Sequence, residues 1–434
     1  MKVEIQKAGD CRVKLFINAG PEETRPDYEK TTGEYVKYGR IPGFRPGKAP
    51  LDVIARRYQR EIDEDIRQRL IARFYRQAAE SEKLNVANIV DVADVLFSPG
   101  TGISFVLTAD LVPEFKLPKY QKLPVKFNTV SVDDAKVAQQ LASLRASLTR
   151  YEPTDTPVAE GDMVQIDYAA TSGGAPLAEA VPDCGRLAGG TDFWTHAAQP
   201  EFIPGIAGVL VGLAVGDTRE LDVKFPKDFP GEAVRGVKAR YTLTVKAVRR
   251  GVPPTDETLV QQIGFESLDA LQARIRENLQ RDAEREETQR QQQEVSDYLL
   301  KKCDFPLPQS VVAAETQRTL RHMLGEMGQH EGVSEYVEKN REAILNNAST
   351  SAANRVRLNY ILGAIAAAEK IEVGEEEVGR QIASAVAYYS ARGEKDLTPA
   401  KLRERLEAGE GLALLRQDLL NGKVIEWLLA DAKA

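Results

Sequence analysis

The sequence predicts a multidomain α+β chain, with an N-terminal α+β domain, a central antiparallel β domain and an all-α C-terminal domain. Three observations carry that prediction. The chain has 434 residues, room for about three domains at roughly 150 residues each. Two proline-rich stretches, residues 112–124 (VPEFKLPKYQKLP) and 249–256 (RRGVPPTD), suit neither a helix interior nor a central strand, because proline lacks an amide donor and fixes φ. The apolar spacing also changes along the chain, from mostly alternating before the second stretch to helical after it. The predicted divisions are residues 1–112, a linker with a helix over 113–150, 151–248 and 249–434.

Each element follows from local pattern. Val13, Leu15 and Ile17 share one face of residues 12–18 (RVKLFIN), and Ile103, Phe105, Leu107, Ala109 and Leu111 alternate likewise, which predicts two half-buried strands. Between them Pro50 stands where a helix can begin. Ile54, Tyr58, Ile62, Ile66, Leu70 and Phe74 then recur every four residues, predicting one long helix that ends near Lys83. Residues 131–150 predict a short helix capped by Ser131, with Val137, Leu141, Leu144 and Leu148 on one face. In the central part Val164, Ile166 and Tyr168 alternate, as do Leu221, Val223 and Phe225, then Tyr241, Leu243 and Val245. Gly173-Gly174, Gly189-Gly190 and Pro230-Gly231 are turn signals, so an antiparallel sheet with little helix is expected.

From Ser267 onward the pattern is helical. Leu268, Leu271, Ile275 and Leu279 form one stripe, whereas residues 280–294 (QRDAEREETQRQQQE) offer almost nothing apolar. Two readings of that segment stand: a helix bridging through solvent, or a disordered charge run. Pro306 and Pro308 interrupt the pattern. Residues 376–389, with Val378, Ile382, Ala385, Val386 and Tyr389, predict a further amphipathic helix.

Composition removes several function classes. Lys plus Arg is 58 and Asp plus Glu is 65, a net charge of −7, unsuited to a surface that coats nucleic acid throughout. The longest apolar run, residues 361–368, is far short of the about 20 that a membrane span needs. The N-terminal MKVEIQKAGD carries charges where a signal peptide is apolar, so a cytoplasmic location is expected. Cys11, Cys184 and Cys303 are scattered and His196, His322 and His330 are the only histidines. Neither a metal site nor any cofactor is therefore expected.

The segment before the long helix, residues 41–50 (IPGFRPGKAP), places the turn pair Pro46-Gly47 beside Phe44, Arg45 and Lys48. Residues 37–60 hold seven basic side chains (Lys37, Arg40, Arg45, Lys48, Arg56, Arg57, Arg60) against Asp52, a local charge of +6 in an acidic chain. The asymmetry suits an anionic partner met through phosphate contacts and an exposed aromatic; a solvated basic turn is the plainer reading. GFRPGKAP resembles the ribosome-docking signature of the bacterial trigger factor family, chaperones at the peptide exit tunnel. APLDVIARRYQREI resembles that family's next helix, and EKIEVGEEEVGRQIASAVAYY a helical segment near its C-terminus. The order of domains is also similar.

The resemblance implies a ribosome-binding first domain docking through Gly43, Phe44, Arg45, Pro46, Gly47 and Lys48. It further implies an FKBP-type prolyl isomerase domain and a helical chaperone domain, with the linker helix against the latter. Implied partners are the large ribosomal subunit near the exit tunnel, both protein and rRNA, and nascent or unfolded polypeptides in folding and export. A homodimer of the free protein is a further possibility, and no membrane partner is implied.

Read from its residues alone, the central domain has no nucleophile with a partnered base, and its aromatic and aliphatic side chains could be plain core. VAEGDMVQIDYAA is similar to the first strand of FKBP-type domains, and FIPGIAGVLVGLAVGD to their pocket helix and following turn. Carried over by position, the pocket comprises Tyr168, Phe193, Phe202, Ile203, Ile206, Phe229 and Tyr241. The chain departs from the family at Ile206, where an aromatic is usual, and at Leu177 and Ala178, where an aromatic and an acid are usual. A second possibility is therefore a chaperone whose isomerase domain acts only as a binding module. A free isomerase would have no use for the docking signature, and a nucleic-acid-binding protein would need more than one basic cluster.

Overall fold

The alternating segments of the first domain become the two central strands of a four-stranded antiparallel sheet, order β1-β2-β4-β3. Its strands are β1 (Lys2–Lys7), β2 (Arg12–Ala19), β3 (Val86–Ser98) and β4 (Gly102–Leu111). The computed structural model describes residues 1–39, 42, 44, 50–328, 333–394 and 396–433. Three helices lie between β2 and β3: α1 (Pro21–Tyr38), α2 (Leu51–Arg57) and α3 (Gln59–Ser81). Val13, Leu15 and Ile17 meet Ile62, Ile66, Leu70 and Phe74 of α3 in one core. Each such side chain, fully buried, contributes about 1.5–3 kcal/mol.

Two expectations change here. The single long helix is α2 and α3, divided at Tyr58, whose φ of −109° and ψ of 23° leave the helical region. The bonds from Tyr58 N–H to Ile54 and from Ile62 N–H to Tyr58 persist, while the Tyr58 ring tilts against Tyr35 of α1 at 5.7 Å. Helix α1 escaped the apolar pattern because its inward face uses threonine. Thr24, Thr31 and Thr32 are buried, and the Thr32 hydroxyl donates to the Tyr28 carbonyl at 2.7 Å.

The chain divides into two compact units, residues 1–127 with 288–434, and residues 128–287. The second unit begins with α4 (Asp134–Ser147). Its cap is Asp133, not Ser131: the Asp133 carboxylate accepts from Lys136 N–H at 2.8 Å, and an ionised acceptor serves the helix dipole better than a hydroxyl. Val137 and Leu141 pack with Leu259 and Val260 of α7 (Asp256–Ile263) and with Leu271 and Ile275, near the start of α8 (Leu268–Lys302).

The rest of this unit is a six-stranded antiparallel sheet, β5 (Arg150–Thr154), β6 (Met163–Ser172), β7 (Ala175–Pro176), β8 (Gly189–His196), β9 (Thr218–Lys224) and β10 (Lys238–Val252). Two short helices, α5 (Leu177–Ala180) and α6 (Ile206–Leu210), complete it. Gly189-Gly190 is not a turn. Both glycines lie in β8, with Gly190 opposite Tyr168.

The C-terminal helices of the first unit are α9 (Gln309–Met327), α10 (Val333–Lys339), α11 (Arg341–Glu369), α12 (Glu375–Ala391), α13 (Pro399–Glu407) and α14 (Gly411–Lys433). Val295 and Leu299, late in α8, pack with Ile361, Leu362 and Ile365 of α11 and with Val424 and Leu428 of α14. The first proline-rich stretch is not a free linker. Leu123 is buried in this core, and Phe115 stacks on Phe305 at 4.1 Å.

The polar segment 280–294 is helix throughout, within α8. Its side chains serve the backbone of an extended strip rather than water alone. In the second unit Glu287 accepts from Asn128 N–H at 2.9 Å, and Gln280 donates to the Val130 carbonyl at 3.3 Å. In the first, Glu294 accepts from Lys126 N–H at 3.3 Å. Among the described residues no helix is long and apolar enough to cross a membrane.

Within the first unit a buried carboxylate joins the sheet to the helices. Asp110 of β4, 1% exposed, accepts from Arg12 Nε at 2.6 Å and Nη2 at 3.0 Å, and from Ser310 N–H in the first turn of α9 at 2.9 Å. Burial alone would raise its pKa; the bonds from Arg12 and Ser310 outweigh it and hold the group at about 2, below the ordinary 3.8. A depressed carboxylate stabilises the fold above its unfolded pKa and loses that contribution as pH falls through the folded one. Asp110 therefore contributes about 2 kcal/mol above pH ~4, which fades toward pH ~2. In urea unfolding followed between pH 7 and pH 2, Asp110→Asn should flatten this part of the acid loss. A variant that keeps the full acid dependence would contradict the assignment.

Candidate functional site

The seven residues expected to form the pocket come together in the central domain. Tyr168 rises from β6, Phe193 from β8 and Tyr241 from β10. Phe202 and Ile203 stand in the turn before α6, Ile206 opens that helix, and Phe229 follows β9. Ile203, Ile206 and Tyr241 are fully buried and Tyr168 nearly so, while Phe193, Phe202 and Phe229 are half-buried against them. Around the Tyr168 ring, Phe193 stands edge-on at 5.6 Å and Phe202 at 5.5 Å, and Tyr241 lies 6.4 Å away. Phe229 belongs to the same core but pairs with Phe225, at 4.8 Å.

Two features define what the cluster can do. Phe193 and Phe202 are 4.7 Å apart, whereas admitting another ring between them would take about 7 Å, twice a carbon contact distance. Any ligand ring therefore meets the outer surface of this pair or parts it. Both tyrosine hydroxyls are also already engaged. Tyr168 donates to the Arg186 carbonyl at 2.6 Å and Tyr241 to the Leu187 carbonyl at 2.8 Å. Burial pushes both phenols above their ordinary pKa, so they stay protonated donors at neutral pH. The Ile203 amide, by contrast, makes no hydrogen bond among the described residues.

The nearby carboxylates hold turns rather than a reaction. Asp162 accepts from Ala159 N–H at 2.8 Å and pairs with Arg250, Asp217 accepts from Ala214 N–H at 2.8 Å, and Asp167 accepts from Asp192 N–H at 2.8 Å. Among the described residues no group of His, Cys, Asp and Glu is arranged to hold a metal ion. Of the positions that depart from the family pattern, Leu177 and Ile206 are fully buried and Ala178 is exposed.

Sequence reasoning missed Gly190, which it took for a turn. A Cβ there would lie 2.8 Å from Tyr168 Cε1. The signal was present as a glycine at the head of a strand, a mark of close approach by another group.

A second candidate surface lies in the first domain. Phe44 is 44% exposed. Arg56, Arg57 and Arg60 are exposed and form no ion pair among the described residues, whereas Arg12, Arg69 and Arg73 are paired to Asp110, Glu34 and Asp27. Gly43, Arg45, Pro46, Gly47 and Lys48 lie outside the described residues. A third feature is a set of exposed apolar side chains on the C-terminal helices: Leu324 on α9, Tyr336 on α10, Leu345 on α11 and Tyr388 with Tyr389 on α12.

The molecule is thus a multidomain α+β protein with an antiparallel β domain and a helical C-terminal region. Residues 1–144 match the family model for bacterial trigger factor protein (TF), and residues 267–430 match that for its C-terminus. The trigger factor of Opitutus terrae is 32% identical over 439 residues, covering 100% of this chain and 98% of the relative. That of Mycobacterium avium is 30% identical over 433 residues, with 98% and 90% covered, and that of Koribacter versatilis 29% over 406, with 92% and 90%. The chain belongs to the bacterial trigger factor family.

The Gly190 contact is testable. Gly190→Ala should lower central-domain stability by about 1–3 kcal/mol through the displaced Tyr168 ring. Gly208→Ala, where a Cβ meets nothing within 4 Å, should be neutral or slightly stabilising. Equal thermal midpoints for the two variants would contradict the role given to Gly190.

Proposed function

We propose that this chain is a ribosome-associated chaperone that holds nascent polypeptides open and catalyses cis/trans isomerisation of Xaa-Pro bonds. The observation that carries the docking part is the exposed Phe44 together with Arg56, Arg57 and Arg60, three charges without an acidic partner among the described residues. Unpaired guanidinium groups are available to phosphates, and an exposed aromatic adds an apolar anchor. Residues 1–112 form the docking domain in this reading, 113–150 the connecting linker and helix, 151–248 the isomerase and 249–434 the client-holding domain. The protein works in the cytoplasm, partly ribosome-bound near the exit tunnel. Leu324, Tyr336, Leu345, Tyr388 and Tyr389 supply apolar contacts for unfolded chains.

The isomerase step needs no acid–base pair. The barrier of about 18–20 kcal/mol comes from amide resonance. A desolvated apolar surface favours the twisted amide, whose charge separation is reduced, over the planar one. Half-buried Phe193, Phe202 and Phe229 supply that surface, with Tyr168, Ile206 and Tyr241 buried behind it, and the Ile203 N–H, which makes no hydrogen bond among the described residues, is assigned to the carbonyl before the proline. The 4.7 Å contact between Phe193 and Phe202 favours a second reading, in which the domain only binds.

Co-sedimentation with ribosomes at graded salt tests the docking assignment. The triple variant Phe44→Ala, Arg45→Ala, Lys48→Ala should bind about tenfold more weakly or worse, with a shallower salt dependence and an unchanged circular dichroism spectrum. Equal binding of the variant at physiological salt would remove the assignment.

A further inference from the structure

The turn before α6 is tied by one side chain. Glu201 Oε2 accepts from Gly205 N–H at 2.7 Å, and its Oε1 accepts from Ala207 N–H at 2.9 Å. Gly205 sits at φ +84°, in the left-handed region that glycine enters freely. Ile206 N–H donates to the Ile203 carbonyl at 3.2 Å. The carboxylate thus closes a short loop whose interior holds Phe202 and Ile203, two members of the aromatic cluster, and whose end is Ile206. Glycine at such a position gives the loop other conformations. Two charge-assisted bonds, each roughly twice as strong as a neutral one, select this conformation.

What the loop displays matters because the other donors are engaged. The Tyr168 and Tyr241 hydroxyls are bound to the Arg186 and Leu187 carbonyls, whereas the Phe202 and Ile203 amides of this turn make no hydrogen bond among the described residues. We propose that Glu201 is the positioning residue of the prolyl pocket, its carboxylate fixing the turn so that the Ile203 amide faces the carbonyl preceding the substrate proline. The proposal rests on the isomerase reading above. Glu201 touches neither substrate nor reacting atoms; it acts through the backbone of the turn. The bond from Ile203 is made to the planar and the twisted amide alike, so it serves binding more than turnover.

The test uses the full-length chain and a short peptide with one Xaa-Pro bond, with kcat and KM obtained from exchange NMR. Glu201→Ala should raise KM about tenfold and leave kcat within about twofold, the loss expected for a binding interaction common to both states. Glu201→Gln keeps one accepting oxygen and should raise KM about threefold. Amide exchange across residues 203–207 should quicken in both variants while far-ultraviolet circular dichroism stays unchanged. An unchanged KM, with kcat falling only in step with the folded fraction, would make Glu201 merely structural and overturn the proposal. If the alanine variant does not fold, the glutamine variant decides by the same split. A wild-type chain without catalysis would overturn the isomerase reading itself, and this proposal with it.

Discussion

Tyr168 can occupy the centre of the β domain only because Gly190, opposite it on β8, carries no side chain. The rest of the site is arranged around that ring. Phe193 and Phe202 stand edge-on to it, and Tyr241 lies beyond. The two tyrosine hydroxyls hold the carbonyls of Arg186 and Leu187 and so pin the turn that leads into β8. A buried hydroxyl left without a partner would cost about 1–3 kcal/mol, so these bonds are conditions of the packing rather than additions to it. With both hydroxyls committed, the chemistry left to the cluster among the described residues is apolar surface and the backbone amides of the Phe202–Ile203 turn. That suits a reaction whose barrier is resonance rather than proton transfer.

Polar residues elsewhere follow the same logic of serving backbone groups. The long helix α8 carries Gln280, Glu287 and Glu294 where an ordinary packed helix would carry leucine, because its neighbour there is an extended strip with peptide groups to satisfy. Asp110 meets the first turn of α9 for the same reason, and Arg12 balances its charge. The exposed arginines at residues 56, 57 and 60 are the contrast. They are exposed and without an ion pair among the described residues, whereas Arg12, Arg69 and Arg73 of the same domain are paired to Asp110, Glu34 and Asp27.

Much of this was legible in the sequence, where spacing alone determines burial. Strands β2, β4, β6 and β10 and helix α3 follow from alternation or from a stripe every four residues. All seven positions named for the pocket lie in or against one core, although it was resemblance and not spacing that selected them. What escaped did so for physical reasons. Helix α1 packs through threonine and tyrosine, so no aliphatic period announces it. Gly189-Gly190 reads locally as a turn, because the ring that demands glycine there lies on another strand. The Ser131 cap lost to Asp133 two residues later, a competition decided by which side chain reaches the Lys136 amide. Glu201 has no pattern at all, since its partners are backbone amides that only the folded turn presents.

The most direct test of the central claim is the slow refolding of a protein limited by a cis-prolyl bond, followed with substoichiometric full-length chain. Uncatalysed, that phase lasts tens to hundreds of seconds at 25 °C. An aromatic cluster that favours the twisted amide predicts a rate rising in proportion to the chain's concentration, with each molecule acting many times. A slow phase unchanged at every concentration would contradict the account and leave the central domain a binding module.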